Sequence, residues 1–368
     1  MNSASGHGGT RRIAVIYNVD FASRDAAGDG KASSLEADSE VAKTAENIAA
    51  ILRDAGWESS LIPVADSLAE IPARLREWGA DAVFNLVESL GNDCTREQEL
   101  PALLERLGVP YTGNPPLVLR LALAKDVAKK LLAAHCIPIP QGLTVFAAGE
   151  LCDGAAACVR FPAFVKPARS DASIGIDQGS IVADADALRR RVAWLLDSGL
   201  GPALVEDYLP GREINVAIFP DPFTGEIVPT EIDFSSYTPD LARIVTYNCK
   251  WLPETPEFNA FSQPCADRLP PPLLREVRRV ARAAFLALGG ASYGRVDMRL
   301  GADGRPRVID VNPNNDLDCE AGLAIAARSA GLPYPALIAK IAEGASLKED
   351  HVSSTAAAAG SRFAGRAD

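Results

Sequence analysis

The sequence predicts two kinds of architecture in one chain: an α/β domain with a parallel sheet, then an α+β region built on antiparallel pairs. Three observations lead there. Through the first third, short apolar runs alternate with stretches of helical spacing, as βαβ units do. Near Pro115 that alternation stops. Beyond it, apolar runs are joined by short turns, clearest in 293–300 and 307–312 around Gly-Ala-Asp-Gly. The length of 368 residues suits two or three domains, and 48% apolar with 23% charged residues suits a chain that buries cores.

Ile13–Tyr17 is apolar throughout, as a buried parallel strand is. Val41, Ala45, Ile48 and Leu52 recur at helical spacing, which predicts a helix over Asp38–Ala55 stopped by Gly56. Ser60–Val64 and Ala82–Val87 read as strands, with a helix over Leu68–Trp78 between them. Leu100, Leu103, Leu104 and Leu107 mark the next helix, ended by Gly108. The polar segment from Asn18 to Ser39 is long for a loop in a compact domain, and reads as a lid or as a disordered insertion. In the second part, helices are expected over Lys125–Ala134, Leu188–Leu196, Pro272–Leu288, Glu320–Ala330 and Tyr334–Glu343. Strands are expected over Ala163–Lys166, Ser180–Val182, Leu204–Tyr208, Glu213–Phe219, Tyr293–Leu300 and Arg307–Asn312. Leu204–Tyr208 and Glu213–Phe219 read as strands joined by a Pro-Gly turn, and 235–271 as an irregular stretch.

With 37 basic and 48 acidic residues, the net charge is −11, which disfavours a nucleic-acid partner. No apolar stretch is long enough to predict a membrane span. Seven scattered cysteines without Cys-x-x-Cys and three histidines argue against a zinc site or a disulfide framework. The polar start of the chain has no apolar signal core, so a reducing cytoplasm is expected.

The hairpin at 293–312 carries the most chemistry. Side chains alternate along a strand, so Arg295 and Asp297 share one face, and Asp310 and Asn312 share one face of the partner. A four-residue loop would set Arg295 opposite Asp310 and bring all four groups together, whereas a three- or five-residue loop would separate the pairs. Two carboxylates, an amide oxygen and a guanidinium suit magnesium with phosphate. Lys166 ends an apolar strand and precedes a small polar loop with Ser170, Ser173 and Gly175, where backbone N–H groups could approach phosphates. Glu206 and Glu213 flank a turn and could accept hydrogen bonds from adenine and ribose. Taken singly, these features also fit a surface salt bridge, a surface lysine and solvated turn glutamates.

As an ordered set, the motifs resemble the ATP-grasp superfamily, and within it the D-alanine–D-alanine ligase branch. They are Pro110–Gly113 (Pro-Tyr-Thr-Gly), Lys125–Lys129, Phe164–Pro167, Val205–Glu213, Arg295–Asp297 and Asp310–Asn312, and the resemblance spans roughly 12–345. It implies an N-terminal pre-ATP-grasp domain (12–115), a small central subdomain (116–210) and a catalytic antiparallel subdomain (211–346), with flexible tails at 1–11 and 347–368. It implies Lys125 and Lys166 on the ATP phosphates together with Ser173, and Glu206 and Glu213 on adenine and ribose. It implies Asp297, Asp310 and Asn312 as ligands of magnesium, two ions in number, with manganese able to substitute. Arg295 would face the tetrahedral intermediate, and Lys250, in a segment resembling the branch's mobile loop (Tyr247–Trp251), would lie over the phosphates. The implied activity is a carboxylate–amine ligase acting through an acyl phosphate, commonly as a homodimer.

The chain departs from the branch where substrates bind. Val87–Cys94 lacks the histidine of the D-alanine ligase loop, and Asn314–Asp318 replaces the segment that holds the second amino acid's carboxylate. Asp316 and Asp318 there favour a cationic amine acceptor, and Glu40 and Glu88 are further candidate substrate contacts. The expected substrates therefore differ from two D-alanines. The competing readings are the cell-wall ligase itself, a kinase that releases the phosphorylated acid, and a nucleotide-binding protein without catalysis.

Overall fold

The computed structural model describes residues 11–19, 31–220, 227–252 and 254–345. They form two compact units, one of residues up to Gly113 together with the chain from Pro333, the other Asn114–Leu332. No helix among the described residues is long and apolar enough to cross a membrane.

The first unit is α/β. Its elements are β1 (Arg12–Asn18), α1 (Lys31–Asp54), β2 (Glu58–Val64), α2 (Ile71–Trp78), β3 (Ala82–Leu86) and α3 (Glu99–Leu107). The strands form a parallel sheet in the order β2-β1-β3, as strands separated by helical crossovers must. Ala14, Ile16, Val83, Leu100 and Leu104 share its core. A helix over 334–345 belongs to the same unit. The helix expected from Asp38 starts seven residues earlier, at Lys31. The intervening stretch contains no proline or glycine after Gly30, and polarity alone does not prevent a helix. The rest of the segment read as a lid, residues 20–30, lies outside the described residues.

The second unit holds two antiparallel sheets. It opens with α4 (Pro116–Leu123) and α5 (Lys125–Ala134). The first sheet uses β4 (Gly142–Val145), β5 (Ala163–Pro167), β6 (Ile181–Val182) and β7 (Ala203–Asp207) in the order β4-β7-β5-β6, with the short helix α6 (Asp153–Ala157) and α7 (Ala185–Asp197) between strands. Leu188, Val192 and Leu195 recur at i, i+4, i+7 along α7 and meet Val165 and Val205 of the sheet. The second sheet uses β8 (Glu213–Ile218), β9 (Ile227–Asp233), β10 (Phe261–Pro264), β11 (Gly294–Leu300) and β12 (Pro306–Asn312) in the order β10-β9-β8-β11-β12. Helix α8 (Tyr247–Trp251) precedes β10, α9 (Pro271–Ala287) follows it, and α10 (Gly322–Ser329) follows β12. Val277, Val280, Ala281, Ala284 and Phe285 form one buried stripe of α9 and pack with Val216, Val296 and Val308.

Two expectations change here. The strands on either side of Pro210-Gly211 do not pair with each other. Strand β7 belongs to the four-stranded sheet and β8 to the five-stranded one. Gly211 instead donates its N–H to the Leu300 carbonyl at 3.0 Å. A Cβ at Gly211 would lie 2.4 Å from that oxygen, so the crossing between sheets needs glycine. The stretch read as irregular contains α8 and β10, and β9 precedes it. Strands this short, with polar residues at alternate positions, carry little periodicity for a sequence to reveal.

Asn114 fixes the start of the second unit. It is 2% exposed and makes four hydrogen bonds. Its Nδ2 donates to the carbonyls of Tyr293 at 2.8 Å and Pro313 at 2.7 Å, and its Oδ1 accepts from the N–H groups of Ala291 at 2.8 Å and Ser292 at 3.1 Å. Removing it leaves buried backbone groups unpaired, so Asn114→Ala is expected to cost about 3–4 kcal/mol. Urea unfolding followed by circular dichroism measures this, and a loss under about 1 kcal/mol would contradict the anchoring role.

Candidate functional site

The hairpin of β11 and β12 presents its polar residues in a register that differs from the one a four-residue loop gives. Arg295 lies opposite Asn312 and Asp297 opposite Asp310, whereas Met298 pairs with Val308, so the ladder shifts between Asp297 and Met298. The turn spans 301–305, five residues, which by itself would send the two pairs to opposite faces. The extra residue Ile309 forms a bulge that restores the alternation. Strand β8 continues the row on the other side of β11, with Asn215 opposite Asp297 and Glu213 opposite Arg299.

The result is a tight polar cluster. Arg295 grips Asp297 with two hydrogen bonds, Nε to Oδ1 at 2.6 Å and Nη2 to Oδ2 at 2.9 Å. Asn312 Nδ2 donates to Asp297 Oδ2 at 2.9 Å. Asp310 Oδ2 meets Lys125 Nζ at 3.0 Å, from the first residue of α5. Glu213 meets Arg299 at 3.0 Å, with both side chains buried.

The four-stranded sheet brings the second group. Lys166 and Glu206 share one face, because Phe164 is the register partner of Glu206 and Lys166 follows two residues on. Glu206 Oε2 is 3.3 Å from Lys166 Nζ, and Glu206 Oε1 is 2.7 Å from Lys129 Nζ. The two lysines also use carbonyls at the bulge: Lys129 donates to Val308 O at 2.8 Å and Lys166 to Ile309 O at 3.1 Å.

Both groups open into one cavity of the second unit. Of the residues singled out in the sequence, Lys125, Lys166, Ser173, Glu206, Glu213, Lys250, Arg295, Asp297, Asp310 and Asn312 line it. Lys250 reaches it from α8, which is fastened to the loop after β5. Trp251 Nε1 donates to Ala172 O at 3.1 Å, and the N–H of Tyr247 donates to Ile176 O at 2.9 Å. Ala172 and Ser173 in that loop have φ of 54° and 59°, a conformation that turns successive N–H groups toward one side.

The other candidates are not among the residues that line the cavity. Asp316 and Asp318 are not among the cavity-lining side chains. Their carboxylates cap the following turns, Asp316 accepting from the N–H of Asp318 and Asp318 from that of Glu320, each at 2.8 Å. Glu40 and Glu88 are exposed residues of the first unit, and the N–H of Glu88 donates to Asn18 Oδ1 at 3.1 Å. Sequence reasoning passed over Asn215, Arg299 and Lys129. Each had a signal: Asn215 and Arg299 follow Glu213 and Asp297 by two residues on the same strand face, and Lys129 follows Lys125 by one helical turn.

Electrostatics bind the cluster together. Burial pushes the Glu206 carboxyl up, but Lys129 and Lys166 outweigh it and hold the group below its ordinary value. Asp310 behaves alike, with burial overcome by Lys125 and Lys166. Glu213 goes the other way: burial raises it and Arg299 only partly compensates. Burial lowers Lys129 to about 8 against the opposing pull of Glu206. A carboxyl whose folded pKa is depressed adds stability above the ordinary carboxylate range near pH 4, and loses it as pH falls through the folded value. The acid limb of a stability–pH profile is therefore expected to flatten in Glu206→Gln relative to wild type. An unchanged limb in thermal melts between pH 7 and 3 would contradict the assignment.

The donor set fits magnesium. It offers hard oxygens from Asp297, Asp310 and the Asn312 amide, too few to complete a six-oxygen shell, as suits an ion that keeps waters or phosphate oxygens. Among the described residues no group of three or more His, Cys, Asp or Glu side chains gathers as a metal cage. Lys125, Lys166 and Lys250 at the cavity suit a polyphosphate, whose oxygens accept charge-assisted hydrogen bonds.

Fold and cavity define an ATP-grasp protein, an ATP-dependent ligase with mixed α/β architecture. Residues 136–343 match the family described as the D-ala D-ala ligase C-terminus. The chain belongs to the D-alanine–D-alanine ligase family. It is 30% identical over 305 residues to a D-alanine–D-alanine ligase of Geobacter sulfurreducens, covering 81% of this chain and 86% of that protein. It is 29% identical over 304 residues to an uncharacterized protein, y4sG, of Sinorhizobium fredii, covering 80% and 85%. Among solved structures, the D-alanine–D-alanine ligase of Bacillus anthracis in complex with ATP superposes with a TM-score of 0.69 at 22% identity, covering 93% of this chain and 99% of that one. That likeness establishes the fold.

Proposed function

We propose that this protein joins a carboxylate to an amine, forming an amide or dipeptide through an acyl phosphate with release of ADP and phosphate, and that its substrates are other than two D-alanines. The observation that carries the ligase chemistry is the convergence of Lys125, Lys166, Arg295, Asp297, Asp310 and Asn312 on one cavity. Asp297, Asp310 and Asn312 would hold magnesium, whose charge would offset that of the transferring phosphoryl group. Lys125, Lys166 and Lys250 bind and orient phosphate oxygens, with the loop around Ser173 supplying N–H groups. Glu206 and Glu213 receive adenine and ribose. Arg295, held rigid by Asp297, faces the oxyanion that forms when the amine attacks the acyl carbon. Helix α8, fastened by Trp251, excludes water that would hydrolyse the acyl phosphate.

The departures at Val87–Cys94 and Asn314–Asp318 support different substrates. The names of several relatives support the second reading, the cell-wall ligase. Two magnesium ions, replacement by manganese, a homodimer, a cytoplasmic setting, and the division into 12–115, 116–210 and 211–346 belong to the same proposal. The test is phosphate release from Mg-ATP across D- and L-amino acids and diamines, with mass spectrometry of every positive reaction. A new amide mass from substrates other than two D-alanines is the expected result. D-alanine alone as the positive would overturn the substrate reading. Phosphorylated acid without an amide would replace the ligase with a kinase.

A further inference from the structure

Lys129 does not line the nucleotide cavity, yet it touches the cavity's most buried carboxylate. It follows Lys125 by four residues on α5, so the two ammonium groups leave the same helix face. Lys125 goes to Asp310 on the five-stranded sheet, and Lys129 goes to Glu206 on the four-stranded one. The Glu206 carboxylate thereby serves two ammonium groups, Lys129 through Oε1 at 2.7 Å and Lys166 through Oε2 at 3.3 Å. Lys166 faces the cavity, Lys129 borders a groove with Lys130, Cys136 and Arg307, and Glu206 lines both. A buried carboxylate requires a full counter-charge. Were Lys166 the only partner, the pair would be neutral and its cation spent on Glu206. With Lys129 present, the three groups carry one net positive charge, and Lys166 is the lysine of the three that lines the cavity.

We propose that Lys129 is a positioning residue for nucleotide binding: it is the standing counter-ion of Glu206 and so leaves the charge of Lys166 available to a phosphate oxygen. The inference rests on the functional reading above. The groups facing Lys129 are Glu206 from β7, Lys166 from β5 and Asp310 from β12, with Arg307 of β12 at the groove. Since burial lowers Lys129 to about 8, its charge is lost as pH rises through that value, and Lys166 then reverts to pairing Glu206.

Titration calorimetry of the full chain with Mg-ATP and with adenosine tests the proposal. In Lys129→Met, ATP is expected to bind at least about tenfold more weakly and adenosine within about threefold of wild type, because only ATP uses the charge of Lys166. Lys129→Arg, charged at every pH, is expected to stay near wild type at pH 7. It should also lack the fall in ATP affinity that the wild type shows between pH 7 and 9.5. Equal losses for ATP and adenosine, or no loss for ATP, would overturn the positioning role. Should Lys129→Met fail to fold, the pH series on wild type decides, and an ATP-to-adenosine affinity ratio that is flat across pH 8 would overturn it. Failure of the wild type to bind ATP would refute the functional reading and this inference together. A wild type that binds ATP in the expected pattern but forms no amide would refute only the ligase chemistry.

Discussion

Asp297→Asn is expected to abolish phosphate release from Mg-ATP, by at least about a thousandfold, or roughly 4 kcal/mol of transition-state stabilisation. Asp297 stands at the centre of the polar row. It lies opposite Asp310 on one side and Asn215 on the other, and it receives two hydrogen bonds from Arg295 and one from Asn312. An asparagine keeps the volume but removes the charge that would hold magnesium, and it presents an NH2 to a guanidinium that needs an acceptor. Arg295, whose pKa burial lowers but Asp297 raises above the ordinary value, then loses its neutralising partner and its fixed orientation. The defect should persist at saturating magnesium if the charge also orders Arg295, and diminish if metal affinity is the whole effect. Phosphate release measured against magnesium concentration separates the two, and activity within tenfold of wild type would remove Asp297 from the reacting centre.

Lys166→Ala is expected to weaken ATP binding about thirtyfold to a hundredfold, the ~2–3 kcal/mol of a charge-assisted contact at a buried site. Its ammonium is held between Glu206 and the Ile309 carbonyl, so little conformational entropy opposes its use. The fold should survive, because Glu206 keeps Lys129 as partner. This separates Lys166 from Lys129: losing the first removes the contact to phosphate, and losing the second removes the reason that contact is free. Calorimetry with Mg-ATP decides, and unchanged affinity would take Lys166 out of the phosphate site.

Much of this site could be read in the sequence, for a local reason. Along a single strand, alternation places Arg295 with Asp297 and Asp310 with Asn312, and no distant residue enters that inference. Pairing across the hairpin was another matter. Convergence depends on the turn: four residues would bring the pairs together and five would separate them. The turn has five, and convergence survives only because Ile309 bulges. Sequence spacing cannot distinguish a bulge from a longer turn. Proximity in sequence did not place Asp316 and Asp318 in the cavity: they follow Asn312 closely, but their carboxylates accept from turn N–H groups. Lys129 is the opposite case: it lies inside the Lys125–Lys129 motif, but its ion pair is with Glu206, 77 positions away by their numbering.

The sequence by itself determined the class of each half of the chain, the order of most strands and helices, the ATP-grasp family and most of the polar residues that line the cavity. These follow from apolar periods of two and 3.6 and from motifs a few residues long, all written locally. Tertiary structure alone decided which carboxylate each cation meets, that β7 and β8 belong to different sheets, and that Lys129 backs Glu206 while Lys166 faces the cavity. Those outcomes depend on strand register and on chain crossings between sheets, where one extra residue reverses a face, and packing of distant segments settles them.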